Sequence, residues 1–488
     1  MEQDRIIKLI FAFKVKYYRT IKNASYQELS EKSGISLSYL HDIEKAKKYP
    51  TPSKINALAS ALGMPYDELV STTVDKRLQP IVDLIASDFF QIFPMEMFGL
   101  TPSALFDLFT EMPDKINAFI STLFKIARTY SVSKENFYVA ALRSYQDFYD
   151  NYFGELEIAA TNFMKSLDKE EISSKVLKQF LCDNYGVSSD MDQINAFVNL
   201  KGLRSYYSVK YNKLYINNEL SEERIMFLLL REIAFQYLQI KTRPYFTTIL
   251  ETDNFEKILN NFKSSYFASA CLMPEKNMIS DIRKVTTQSK WSSDLFFEML
   301  KRYKVTPEML MQRITNIVSG HFGINNLFFI RLHHDTERKH YRMSKEIHLS
   351  RLHSPYSSEM DEHYCRRWLS VGLVEELKQK GADHDILIDA QISQYNDTPN
   401  SYFCISVAYK ESRNPVFDYT SITIGFYMDN HLRAHFKMVD DPKVQQKIVH
   451  TTCERCNIMD CTERVVPPTI IFNKEKNDTL LKAVSKLS

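Results

Sequence analysis

Glycine is scarce in this 488-residue chain. There are 11 glycines, where average usage of about 7% would supply roughly three times as many. Only Gly320 and Gly323 lie within five residues of each other. A P-loop needs two glycines five apart followed by Lys, and a dinucleotide fingerprint needs three within six residues. Both phosphate-cradling loops are therefore excluded. No apolar run approaches the ~20 residues of a membrane span. The start, Met1 to Tyr18, carries Asp4, Arg5, Lys8, Lys14 and Lys16, which reads as an amphipathic helix and not a signal peptide. Seven cysteines, an odd number in a long chain, argue against a secreted disulfide framework. The expectation is a cytoplasmic protein.

What is present is ordinary in bulk. Hydrophobic residues make up 44% and charged ones 25%, the mix of a folded globular chain. The length points to three or four domains. A net charge of +2 leaves no room for a polyanion-binding surface over the whole molecule, so any nucleic-acid face must be local.

Residues 1–75 read as five short helices. Ile6, Ile7, Ile10 and Phe13 recur at helical spacing. Ser25 and Glu28 form a capping box before the second helix, and Gly34 stands where that helix must end. Ser36 caps a third helix, Leu37 to Ala46, and Pro50-Thr51-Pro52 breaks the chain before Ile55, Leu58, Ala59 and Leu62. A helix, a Gly-containing turn and a second helix is the geometry that lays a recognition helix in the major groove. Ser36, Ser38, Tyr39 and His41 lie at the start of the third helix, where side chains reach base edges. Lys45, Lys47 and Lys48 follow it, placed to meet phosphates. Basic residues outnumber acidic ones here, with eleven Lys and Arg. The other reading is a helical interaction domain without DNA binding. Gln27, Leu29, Gly34, Ile35, Ser36, Tyr39, Leu40, Ile43, Glu44 and Pro50 together resemble the Cro/cI-type (XRE-family) helix-turn-helix. That resemblance implies that Gln27 contacts the DNA backbone and orients the reader.

Residues 76–165 carry a nearly unbroken helical pattern, with Ile116 to Ile126 too apolar for one solvated face and aromatic residues from Phe137 to Phe153. No catalytic constellation stands out. The reading is a helical linker and dimerisation region, since helix-turn-helix proteins commonly bind two half-sites as dimers.

Residues 166–318 contain a strand-like run, Leu203 to Ile216, then a helix over Ser221 to Phe235, then Tyr266-Phe267-Ala268-Ser269-Ala270-Cys271-Leu272-Met273-Pro274. This order resembles the ImmA/IrrE-type peptidase-like domain, whose first helix carries His-Glu-x-x-His. Zinc hydrolysis needs two imidazoles one turn apart with the Glu as base. Here the slots hold Arg231, Glu232 and Phe235, and the one His before residue 321 is His41. Arg stays charged and Phe has no donor atom. The expectation is a scaffold, not an enzyme. Leu295 to Ile314 also imitates a helix-turn-helix, but Thr306 as cap and Pro307 as first helical residue explain the break locally.

Residues 319–488 change character to α+β, with strand-like runs at Leu327–Leu332, Ile386–Ile392, Tyr402–Tyr409 and Thr420–Tyr427. The expected fold class is therefore multidomain: mainly α in the N-terminal two-thirds, with an α+β C-terminal sensor. Between Arg331 and Arg351 sit six basic residues and four histidines. They form either the solvated face of a hairpin or a patch for ligand phosphates, of which Arg331, Arg342, Lys345 and Arg351 are the candidates. Cys453, Cys456 and Cys461, spaced C-x2-C-x4-C, point to zinc or an iron–sulfur cluster. The fourth ligand is open among His450, Cys404, Cys365 and a non-protein group, and three buried thiols without metal is the other reading.

The whole succession, ending in these cysteines and Pro467-Pro468, resembles the short-chain fatty acyl transcriptional regulator family, of the RamB and PrpR type. The resemblance implies a dimeric transcription factor on an operator in double-stranded DNA. Its C-terminal half would sense a short-chain acyl-CoA, and its terminal cysteines would carry a [4Fe–4S] cluster. A DNA-bound scaffold answering to a protein partner is the alternative, and a residual hydrolase a more distant one.

Overall fold

The computed structural model describes residues 2–72, 134–167, 172–200, 202–246, 254–335, 337, 339–349, 362–381, 384–411 and 417–485. The expectations for residues 76–133, including the Ile116–Ile126 stripe, fall outside these. The chain divides into two compact units, residues 1–145 with 251–258, and residues 146–250 with 259–488.

The first unit opens with the five expected helices: α1 (Glu2–Ile21), α2 (Tyr26–Ser33), α3 (Leu37–Glu44), α4 (Pro52–Leu62) and α5 (Tyr66–Val70). The Ser25–Glu28 capping box forms in both directions, and Gly34 ends α2 at φ 68°, a conformation that costs glycine nothing. Phe11, Val15, Leu29, Leu40, Ile43, Ile55, Leu58 and Leu62 close over one small core. The third helix ends two residues before the expected Ala46, because Ala46 itself turns left-handed at φ 55°.

In the aromatic stretch after residue 133, the chain forms α6 (Lys134–Phe148) and α7 (Gly154–Leu167). Asp150 and Asn151, both at positive φ, separate them. In the second unit α8 (Ser174–Tyr185) leads into a small sheet of β1 (Ser188–Asp190), β2 (Ser205–Ser208) and β3 (Lys213–Ile216), ordered β1-β3-β2. The run read as one strand from Leu203 is thus a hairpin, turned at Val209–Asn212, where Asn212 adopts φ 45°. Then come α9 (Glu222–Tyr237), α10 (Phe255–Leu272), α11 (Glu275–Thr287), α12 (Asp294–Tyr303) and α13 (Pro307–Phe322). Thr306 caps α13, accepting from Met309 N–H at 3.4 Å. Leu310, Met311, Arg313, Ile314, Asn316 and Ile317 of α13 are buried. That removes it as a second groove reader.

The α+β end is a six-stranded sheet of β4 (Leu327–Asp335), β5 (His340–His348), β6 (Ile386–Tyr395), β7 (Ser401–Lys410), β8 (Tyr419–Tyr427) and β9 (Gln445–Val449), ordered β5-β4-β8-β7-β6-β9. All pairs are antiparallel except β6–β9. Four of its strands are the ones expected from the apolar runs. The period of two sorts each strand between layers. Phe329, Ile405, Ile422, Ile424 and Phe426 join the core of α11, α12 and α13, while Phe328, Ile330, Leu332 and Tyr402 pack with Val371, Val374 and Leu377 of α14 (Leu369–Lys380) on the opposite face. Gly425 faces the Phe328 ring so closely that any Cβ would displace it. The chain ends in α15 (Asn430–His435), β9 and α16 (Thr469–Val484). No helix among the described residues is long and apolar enough to cross a membrane.

Candidate nucleic-acid interface and ligand cleft

In the head, the α2–turn–α3 unit is locked from beneath. Arg19 of α1 makes a two-pronged ion pair with the buried Glu44 at 2.6 and 3.0 Å. Tyr26 donates to the same carboxylate at 2.5 Å. Its ring carries the Arg19 guanidinium at 4.1 Å and stacks on His41 at 4.0 Å. Of the expected DNA-contacting residues, Gln27, Ser36, Ser38, His41, Lys45, Lys47 and Lys48 are exposed, and Tyr39 is half-buried. Leu37, 46% exposed, stands among them; an apolar side chain in that position suits a thymine methyl. Tyr39 is held by Lys54 at 3.9 Å from its ring centre. Lys48 is already paired with Asp42 at 2.8 Å, which leaves Lys45 and Lys47 as the freer cations.

In the second unit, Arg231, Glu232 and Phe235 lie buried on α9. Arg243, a residue that no motif flagged, closes this place. Its two terminal nitrogens donate to the two oxygens of Glu232, one at 2.7 Å and the other at 2.5 Å. Its guanidinium sits 3.9 Å above Phe235 and 4.5 Å from the Tyr207 ring centre. Gln236 donates to Glu232 as well, at 3.0 Å. Both oxygens of Glu232 are thus engaged, Oε1 by two donors and Oε2 by one. Arg231 turns to Asn261, and burial pulls its guanidinium down to about 10.

The basic hairpin is formed by β4 and β5, with Arg331 opposite Lys345 and His333 opposite Arg342. A bulge at Ser344 keeps all four on the α13 side of the sheet. Arg331 and Lys345 meet Glu308, from the first turn of α13, at 2.7 and 3.3 Å. Lys345 also donates to Gln312 at 2.7 Å. Beside them Arg224 pairs with Glu411 at 3.1 Å. Thr420 donates to Glu411 at 3.3 Å and lies 2.8 Å from His333 Nδ1. Burial, with Arg331 next to it, lowers His333 to about 4, so the ring is neutral at neutral pH. Arg342 is exposed, and Arg351 lies outside the described residues. Arg331, Arg342 and Lys345 of this cluster were legible in the sequence. Arg224, Glu308 and Glu411 were invisible to it, because they arrive from α9, α13 and the end of β7, between 23 and 107 residues from Arg331.

The cysteine loop is ordered by a guanidinium. Arg464 donates to the carbonyls of Cys453, Cys456 and Ile458 at 2.7, 3.0 and 2.7 Å. Cys453 and Cys456 are buried and Cys461 is half-buried. Cys365 lies within electrostatic reach of the first two, and burial pushes its thiol up to about 11; Cys404, buried in β7, is pushed to about 12. Among the described residues no three His, Cys, Asp or Glu side chains converge tightly enough to hold a metal ion.

Comparison with known families matches this geometry at both ends of the first two-thirds. Residues 15–69 match the helix-turn-helix family. The head thus has the helix-turn-helix arrangement. Residues 194–315 match the IrrE N-terminal-like domain, which spans β2, β3 and α9 to the middle of α13. No curated protein matches the chain. Among solved structures, a Mycobacterium tuberculosis transcriptional regulator is similar at 16% identity, covering 67% of this chain and 92% of that one, with a TM-score of 0.46; so loose a likeness carries no function across.

Proposed function

We propose that this protein is a cytoplasmic, sequence-specific transcriptional regulator that binds its operator as a dimer and responds to a short-chain acyl-CoA through the C-terminal half. The observation that supports the first part is the helix-turn-helix head, with Gln27, Ser36, Ser38, His41 and the following lysines exposed to solvent. A regulator and not a hydrolase is favoured by the IrrE-like domain, where Arg231 and Phe235 stand in the metal slots and Arg243 occupies the carboxylate of Glu232. The effector reading draws on the basic cluster around Arg331 and Lys345, with no glycine loop to hold phosphates. An effector shifts DNA binding only by the difference in its affinity for the two arrangements of the protein.

Thermal-shift titration of the full chain with acetyl-, propionyl- and butyryl-CoA tests the sensor. Stabilisation that grows with ligand concentration is expected, and no response to any chain length contradicts it. The zinc or [4Fe–4S] assignment of Cys453, Cys456 and Cys461 needs Cys461 to close on the other two thiols. Metal analysis and absorbance of anaerobically purified protein test it, and a colourless, metal-free protein refutes it.

A further inference from the structure

The short helix α15 carries two histidines one turn apart, His431 and His435, neither of which belongs to the DNA-binding face or the basic cluster. The helix is held in place along its length. Asp429 caps it, accepting from the Leu432 N–H at 2.7 Å, while Leu432 and Phe436 are buried in the larger core. His431 is left exposed and His435 half-buried. Their ring centres lie 4.5 Å apart, with the planes inclined at 53°. Each ring has one nitrogen committed to a backbone carbonyl. His435 Nδ1 lies 3.0 Å from the carbonyl oxygen of His431, and His431 Nε2 lies 2.9 Å from that of Phe322. A carbonyl only accepts, so both of these nitrogens carry the hydrogen. In the neutral rings the free lone pairs are therefore on His435 Nε2 and His431 Nδ1. A hydrogen bond from the far nitrogen to a carbonyl is how the imidazoles of metal centres are oriented.

The ring spacing fits the same chemistry. With a metal–nitrogen bond of about 2.0–2.1 Å, an imidazole centre stands about 3.2 Å from the ion. Two such centres are then about 4.5 Å apart at a right angle and about 5.2 Å apart at the tetrahedral angle. The observed 4.5 Å is the right-angle spacing. We propose that His431 and His435 form a binding site for a divalent transition-metal ion of the nickel or copper class, with His431 Nδ1 and His435 Nε2 as neighbouring ligands. Imidazole suits these ions, and their square or octahedral geometries put neighbouring ligands at right angles. Among the described residues no third His, Cys, Asp or Glu joins the pair, so water completes the coordination. Arg433, the cation on the same helix, is paired with Asp440 at 2.8 Å. The Phe322 carbonyl belongs to the last turn of α13, so the ion fastens α15 to the end of that helix through His431. The site shares no residue with Cys453, Cys456 and Cys461.

The test is calorimetric titration of the full chain with nickel(II) chloride. It uses the wild type, His431→Gln, His435→Gln and a control at the exposed His384, His384→Gln. The wild type and the control should bind the ion alike. Each of the two helix variants should bind it roughly tenfold more weakly or worse, since even the loss of an outer-shell partner costs ten- to a hundredfold. Nickel held by thiols adds the same step to all four proteins and leaves this difference untouched. His431→Gln also gives up the bond to Phe322, whereas His435→Gln keeps it, so the second variant decides if the first disturbs α15. A nickel-dependent rise in unfolding temperature, present in the wild type and control and absent from His435→Gln, is the second readout. No nickel binding by the wild type, or binding by His435→Gln as tight as that of the wild type, overturns the site.

Discussion

The α13 helix that delivers Glu308 and Gln312 to Arg331 and Lys345 is anchored by a fully enclosed ion pair, and its removal should be severe. Arg313 has no exposed surface and Glu157 of α7 is 3% exposed. The guanidinium donates to the two carboxylate oxygens at 2.5 and 2.7 Å and to the Met273 carbonyl at 3.1 Å. Tyr266 donates to the same carboxylate at 2.7 Å and accepts the Phe153 N–H at 3.2 Å. In Arg313→Met the volume is kept, but Glu157 is left as a buried charge with Tyr266 as its one side-chain donor. Breaking such a pair from one side costs about 3–5 kcal/mol. With a urea slope of about 2–3 kcal/mol per molar, the midpoint should fall by roughly 1–2 M. The chain's two tryptophans, Trp291 and Trp368, both lie in this unit, so intrinsic fluorescence follows its unfolding directly. Adding Glu157→Leu should recover most of the loss, because an apolar pair of similar volume carries no stranded charge. A loss under about 1 kcal/mol for Arg313→Met, or a double variant as unstable as the single one, refutes the reasoning.

Other outcomes follow from the same geometry. Each of Lys45→Gln and Lys47→Gln should lower the slope of log affinity against log salt by about one on any DNA, measured by fluorescence anisotropy. Lys48→Gln should lower it less, because Asp42 already neutralises Lys48 in the free protein. His333 is held near 4 by burial and Arg331, below its ordinary value of about 6.5. Its contribution to stability is therefore complete above about pH 6.5 and is lost as pH falls towards 4. Urea melts at several pH values should show His333→Gln losing less stability than the wild type across that window. Ser25→Ala removes the cap that accepts from the Glu28 N–H at 3.1 Å and should cost the head about 1 kcal/mol, read by circular dichroism.

Legibility of the sequence followed the range of the interactions. Capping residues act within four positions, so Ser25, Gly34, Ser36 and Thr306 marked the ends of their helices correctly. Unbroken apolar runs revealed β4, β6, β7 and β8, since both faces of those strands are covered. β5 showed only as one arm of a possible hairpin, because Arg342, Ser344 and Lys345 interrupt its apolar alternation. The Leu203–Ile216 run concealed a turn whose left-handed residue is Asn212 instead of glycine. The absence of zinc ligands at Arg231 and Phe235 could be read directly, while the guanidinium that takes the place beside Glu232 comes from Arg243, outside any motif. Ion-pair partners such as Glu308 for Arg331 are set by tertiary contact, and no spacing rule reaches them.

The central claim is that the α3 face reads DNA sequence. Its most direct test is anisotropy of the full chain on a fragment selected from its own genome against a scrambled fragment, with Gln27→Ala and Tyr39→Ala beside the wild type. The account predicts that the wild type prefers the selected fragment by roughly a thousandfold or more. Each variant should lose much of that preference while its thermal unfolding stays unchanged. Equal affinity of the wild type for both fragments, or full preference retained in both variants, contradicts it.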